Sequence, residues 1–179
     1  CHNDNGMAVA NSIMAVQAGA SQVQGTINGF GERCGNVNLC TVIPNLQIKA
    51  DYQCIPNEKM KYITAIARYV SEIANMIHDE KEPYVGGSAF AHKGGMHIDA
   101  VFKNPISFEH INPELVGNKR VILMSEVAGR STIMKRINEV DSSIGKDSPE
   151  AKVIIDRLKE LEHDGYQYEG AESSFELVI

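Results

Sequence analysis

Positive charge is in short supply here: 17 Lys and Arg stand against 23 Asp and Glu, for a formal net charge of -6. With a pI near 5.5 and its basic residues scattered, the chain has no field to draw in a nucleic-acid backbone, and nucleic acid is not an expected partner. No apolar run is long enough to span a bilayer, and no charged-then-apolar leader opens the chain, so neither a membrane anchor nor export is expected. Cysteine is sparse and unpatterned. Cys1, Cys34, Cys40 and Cys54 form no CxxC pair, which argues against structural zinc held by sulfur and for reduced thiols in a cytoplasmic protein. Repeats and low-complexity tracts are absent too.

What is there is a chain of 179 residues with 43% hydrophobic content, enough to bury a core as one domain or a domain with an appendage. It opens on Cys1 rather than methionine and stops on an apolar, strand-like run over 175–179, so both ends read as cut from a longer protein.

Val9, Ile13 and Val16 at helical spacing predict a short helix over 7–18. Ser21-Gln-Val-Gln-Gly-Thr-Ile27 alternates and is rich in β-formers, which predicts a strand feeding the glycine-rich stretch that starts at Asn28. A second helix is expected over 36–43, ended or kinked by Pro44. Asn57 is placed to cap a long helix whose apolar face carries Ile63, Ile66, Val70, Ile73 and Ile77. Residues 82–117 are rich in Gly, Pro, His and Asn and read as a long irregular loop. A shorter helix is expected over 131–140, and another from Ser148 as cap and Pro149 at the first helical position, burying Ala151, Ile154, Leu158 and Leu161. Helix, strand, loop, helix is the grammar of a parallel α/β fold, here followed by a mostly helical appendage.

Three stretches carry groups with chemistry. Cys1-His-Asn-Asp4 puts an imidazole, an amide and a carboxylate just before a helix; the plainer reading is that Asn3 or Asp4 caps that helix. Asn28-Gly-Phe-Gly-Glu-Arg-Cys-Gly-Asn36 places polar groups at the carboxyl end of the expected strand, where α/β folds bind ligands. Its glycine spacing is not the dinucleotide fingerprint, and the Walker lysine is missing. Phe90-Ala-His-Lys-Gly-Gly-Met-His97 holds His92 and His97 around paired glycines, at the wrong spacing for one helical face; ordinary loop histidines are the alternative. His78, His110 and His163 sit beside acidic or helix-end residues and read as structural.

Taken together and in this order, these stretches resemble the 2-isopropylmalate, homocitrate and citramalate synthases. The resemblance extends through Leu39-Cys-Thr-Val-Ile-Pro-Asn-Leu46, Glu114-Leu-Val-Gly-Asn118, Ser125-Glu-Val-Ala-Gly-Arg-Ser131 and Gly165-Tyr-Gln-Tyr168, looks most like the citramalate synthase branch, and covers essentially the whole chain. It implies an α/β fold: the C-terminal portion of a (β/α)8 TIM barrel followed by a mostly helical α+β linker subdomain. Residues 1–50 would be the last helix-strand-helix part of the barrel, 51–140 a linker subdomain with the histidine-rich loop, and 141–179 a helical subdomain leading toward a regulatory region.

The resemblance also implies an acyltransferase that joins acetyl-CoA to a small 2-oxo acid, pyruvate on the nearest branch, beside a divalent cation (Zn, Mn or Mg). His2 matches the second histidine of the family's HxH ligand pair and Asn36 its amide ligand, with the remaining ligands upstream of Cys1. His97 matches a catalytic histidine that the family inserts into the partner subunit, which makes a homodimer the expected assembly. The position eleven residues beyond His97 is Phe108, where the family usually has a tyrosine, and phenylalanine has no hydroxyl to offer. The family's acid/base carboxylate lies before this stretch; Glu32 is not that residue. On these grounds the 179-residue chain alone is expected to be inactive, and the open barrel edge to drive self-association.

Overall fold

Apolar residues at helical spacing become helices in the computed structural model, which describes residues 1–93, 95–123, 130–166, 168 and 171–179. The chain divides into two units, Cys1–Phe90 with Ile111–Arg120, and Ala91–His110 with Val121–Ile179. Among the described residues no helix is long and apolar enough to cross a membrane.

In the first unit, α1 (Ala8–Gln17) starts where the Asn3 side chain accepts from the Ala8 amide at 3.3 Å. α2 (Leu39–Pro44) starts later than the sequence suggests, because the Asn38 side chain caps it by accepting from the Cys40 amide at 2.9 Å. Pro44 ends the α-helical ladder, and the chain continues through a wider π-type turn, Asn45–Lys49. The strand expected over 21–27 does not form. Its one bridged residue is Thr26, paired in parallel with Asn38, and a strand needs a longer ladder than that. Ala8, Val37, Val42 and Leu46 form the core beneath these elements, with Val9, Ile13 and Val16 packed against it.

Asn57 caps no long helix. It opens a 3-10 turn, Asn57–Tyr62, and its side-chain oxygen accepts from Gln47 instead; α3 follows as Ile63–Ile73. Of the expected apolar stripe Ile63 is buried, but Ile66, Ile73 and Ile77 are 44%, 67% and 99% exposed. Ile63, Thr64, Ala67 and Ser71 face inward. The small side chains of Ala67 and Ser71 let the Asn28 amide reach the Ala67 carbonyl at 2.7 Å and the Ser71 hydroxyl at 2.9 Å, which sets the helix rotation.

The Glu114-Leu-Val-Gly-Asn118 segment clamps this unit. Thr64 donates to the Val116 carbonyl at 2.6 Å, and Asn118 donates to the carbonyls of Tyr84 and Gly86, each at 2.9 Å. Gly117 between them has φ +71°, and a Cβ there would strike the Lys61 carbonyl oxygen. Neither backbone has room to give. Gly117→Ala is expected to cost about 2–4 kcal/mol of stability, read as a lowered urea midpoint with unchanged m-value.

In the second unit, β1 (Ala91–His92) and β2 (Val121–Ile122) form a parallel two-stranded sheet, with Ala91 opposite Val121 and His92 opposite Ile122. The stretch expected to be irregular contains a nine-residue helix, α4 (Gly95–Lys103). Ile98 and Val101 are buried on one side of it, and Lys103 pairs with Asp99 at 2.6 Å, the i,i+4 spacing that supports a helix. Two adjacent glycines hide that pattern in the sequence. α5 (Arg130–Val140) and α6 (Pro149–His163) pack Ile133, Met134 and Ile137 against Ala151, Ile154, Ile155 and Leu158, with Leu161 at the margin. Ser148 caps α6 as expected, accepting from the Ala151 amide at 3.1 Å. The strand-like run at 175–179 is instead the end of α7 (Glu172–Glu176) and a turn. Phe175 is buried there, edge-on to Tyr168 with 6.0 Å between ring centroids. Most of the Ser125–Ser131 motif, and parts of the segments around Gly94 and Gln167, lie outside the described residues.

Candidate functional site

His2 and Asn36 oppose each other across an antiparallel bridge. The Val37 amide donates to the Cys1 carbonyl and the Asn3 amide to the Gly35 carbonyl, both at 2.9 Å, so the bridged residues exchange no backbone bond themselves. In this class of pair both side chains leave the same face, closer together than in the hydrogen-bonded class. Asn36 Nδ2 donates to the Phe30 carbonyl at 3.1 Å, which fixes the plane of the amide and leaves its oxygen to other partners. Gly31 makes that posture possible: a Cβ there would sit 2.8 Å from Asn36 Cγ. An imidazole and an oriented amide oxygen on one face suit a hard or borderline divalent cation.

A bidentate ion pair braces this corner. Arg33 donates to the two Asp4 oxygens at 3.0 and 2.9 Å, joining the segment that carries His2 to the loop that carries Asn36. The Arg33 hydrogen bond is the main cause that holds the Asp4 carboxyl below its usual range. The pair is solvent-exposed, so its value is alignment rather than stability. Behind the loop, Ser71 meets His78 Nδ1 at 3.3 Å and His78 Nε2 meets the Val85 carbonyl at 3.3 Å, the structural role expected of that histidine. Asn38 donates to Glu82 at 2.7 Å; burial pushes the Glu82 carboxyl above its usual range against the pull of that bond.

The histidine-rich segment belongs to the second unit, where its two histidines have different surroundings. His92 is buried on β1 and its Nε2 lies 3.1 Å from Glu109 Oε1. His97, in the first turn of α4, is exposed and stacks on Phe108 with 4.4 Å between centroids and 27° between planes.

Known proteins match this chain along nearly all of its length. The model described as HMGL-like matches residues 1–74, which include His2 and Asn36, and the model described as homocitrate synthase post-HMGL domain-like matches residues 84–165, which include His97. The (R)-citramalate synthases of Synechocystis sp. and Aquifex aeolicus are 54% and 57% identical to it over 99% of the chain. The chain belongs to the citramalate and 2-isopropylmalate synthase family. A 2-isopropylmalate synthase of Bacillus cereus stands further off in this family, 40% identical over 90% of the chain. The chain spans about a third of the length of these relatives, 32%, 34% and 33% in turn.

Among the described residues no three His, Cys, Asp or Glu side chains cluster as a metal site. Sequence reading missed the Asp4–Arg33 brace and the partner of His92. Opposite charges in two segments already suspected of sharing a site would have been the cue for the first.

Proposed function

We propose that this chain is the part of a larger acyltransferase that completes its cation site and supplies a catalytic histidine, and that the whole enzyme condenses acetyl-CoA with pyruvate to give citramalate. Residues 1–50, in which α1 and α2 flank the single Thr26–Asn38 bridge, stand for the last part of a TIM barrel, 51–140 for the linker subdomain with the histidine-rich loop, and 141–179 for a helical subdomain. The whole enzyme acts in the cytoplasm as a homodimer, and the 179-residue chain by itself associates with itself.

The observation that carries this reading is the pairing of His2 with Asn36 on one face, inside the stretch that matches the HMGL-like model. A cation bound there would chelate the 2-oxo acid and polarise its keto carbon. His2 presents a ring nitrogen, and Asn36 presents an oxygen kept in place by the Phe30 carbonyl. His97 assists removal of a proton from the acetyl methyl of acetyl-CoA; the resulting enolate carbon bonds to the keto carbon, and water then cleaves the thioester to release CoA and a carboxylate. As neutral ligands, His2 and Asn36 would offset less of a bound cation's charge than carboxylates would.

The high identity to named citramalate synthases supports pyruvate over the larger oxo acids. Free-thiol release from acetyl-CoA, measured on a protein of the relatives' full length that contains this chain, tests the choice. Pyruvate is expected to give the highest kcat/KM. A preference for 2-oxoisovalerate or 2-oxoglutarate would move the protein to the 2-isopropylmalate or homocitrate branch, and no release with any of the three would favour a structural and dimerisation module.

A further inference from the structure

From the geometry of the second unit we infer that the buried His92–Glu109 pair is a positioning device for His97; its catalytic meaning rests on the role proposed for His97 above. His92 and Glu109 are 8% and 4% exposed, and the imidazole Nε2 and the Glu109 Oε1 lie 3.1 Å apart, within hydrogen-bond distance. Sealing an imidazole and a carboxylate away from water is costly unless they satisfy each other, so the contact is directional and hard to slide.

Its place in the chain gives it leverage. His92 sits on β1, where its carbonyl also accepts from the Leu123 amide at 2.9 Å, so this end is tied to the sheet. Glu109 follows Phe108 directly, after a 3-10 turn at Pro105–Ser107. The pair therefore closes the base of a loop that begins at β1, runs out through α4 and returns at Phe108. His97 stands on the outgoing limb and its stacking partner on the returning limb. Ile98 and Val101 anchor the inner side of α4, but His97 and Phe108 are both exposed, so their own stack cannot lock the limbs in register. The buried clamp at the base does. A positional error of about 1 Å at a reacting group costs about a hundredfold in rate, which makes such a clamp worth its desolvation.

The test is read first in this 179-residue chain. Protons over an aromatic face are shielded, so the His97 ring protons should appear upfield in the NMR spectrum, and Phe108→Leu should remove that displacement. His92→Leu with Glu109→Leu removes both halves of the clamp together. Its α5 and α6 core methyl signals are expected to stay in place while the His97 ring protons lose their upfield shift. His97 signals that remain at their original positions in this double variant would overturn the proposal. If the double variant does not fold, His92→Gln decides, since it keeps an N–H donor for Glu109: unchanged His97 shifts are expected, and displaced ones overturn the clamp. In a full-length protein shown to release CoA, the double variant should lower kcat about 10–100-fold with little change in KM. Displaced His97 signals with unchanged kcat would leave the clamp standing and reject the catalytic reading of His97.

Discussion

Asn36→Ala, introduced into a protein of the relatives' full length, should weaken divalent-cation binding by at least about a hundredfold, because loss of a direct ligand costs no less than the 10–100-fold seen when its supporting groups are removed. Titration calorimetry on the metal-free protein would read it, and CoA release at limiting metal should fall in step. The loss follows from geometry. Asn36 faces His2 across a pair that exchanges no backbone bonds, and its amide nitrogen is committed to the Phe30 carbonyl, so the oxygen is oriented before any cation arrives. Asn36→Asp still offers the cation an oxygen but sets its second oxygen against the Phe30 carbonyl, so it should bind better than Asn36→Ala and less well than the parent. Unchanged affinity in Asn36→Ala would remove Asn36 from the site.

His97→Ala should leave cation affinity untouched and lower the rate of CoA release by about 10²–10⁴-fold, the usual contribution of a positioned acid or base. The separation of the two effects is the informative part, because His2 and Asn36 lie in the first unit and His97 in the second. Phe108 offers His97 a flat apolar face and no hydroxyl. Phe108→Tyr keeps that face and adds a donor at its rim, so it should raise kcat. A fall would mean that this chain has settled on the unsubstituted ring for its own reasons.

Much of the helical structure could be read from the residues alone. Ser148 followed by Pro149 is a start signal that works through a single local bond, and it gave the start of α6 and most of its buried face. α3 was legible in kind but not in rotation. The stripe of Ile66, Ile73 and Ile77 is the more apolar face, but the bonds from Asn28, 39 and 43 residues away, turn Ala67 and Ser71 inward. Helical periodicity carries no information about a partner so distant. The strand at 21–27 was misread because alternation says only that a segment would suit a ladder, not that one exists for it. In the run at 175–179, β-favouring residues lost to a tertiary contact, the burial of Phe175 against Tyr168. His2 and Asn36 were singled out through resemblance and not through spacing, since 34 residues separate them and only folding brings them to one face.

One comparison bears on all of this: substrate-dependent CoA release from acetyl-CoA and pyruvate by this 179-residue chain, alongside a protein that extends it to the relatives' full length. The longer protein should release CoA and the short chain should not, because on the proposed reading His2 and Asn36 supply only two ligands of a larger set and His97 needs a barrel to work upon. Turnover by the short chain would contradict that division of labour, and silence from both would remove the condensation chemistry itself.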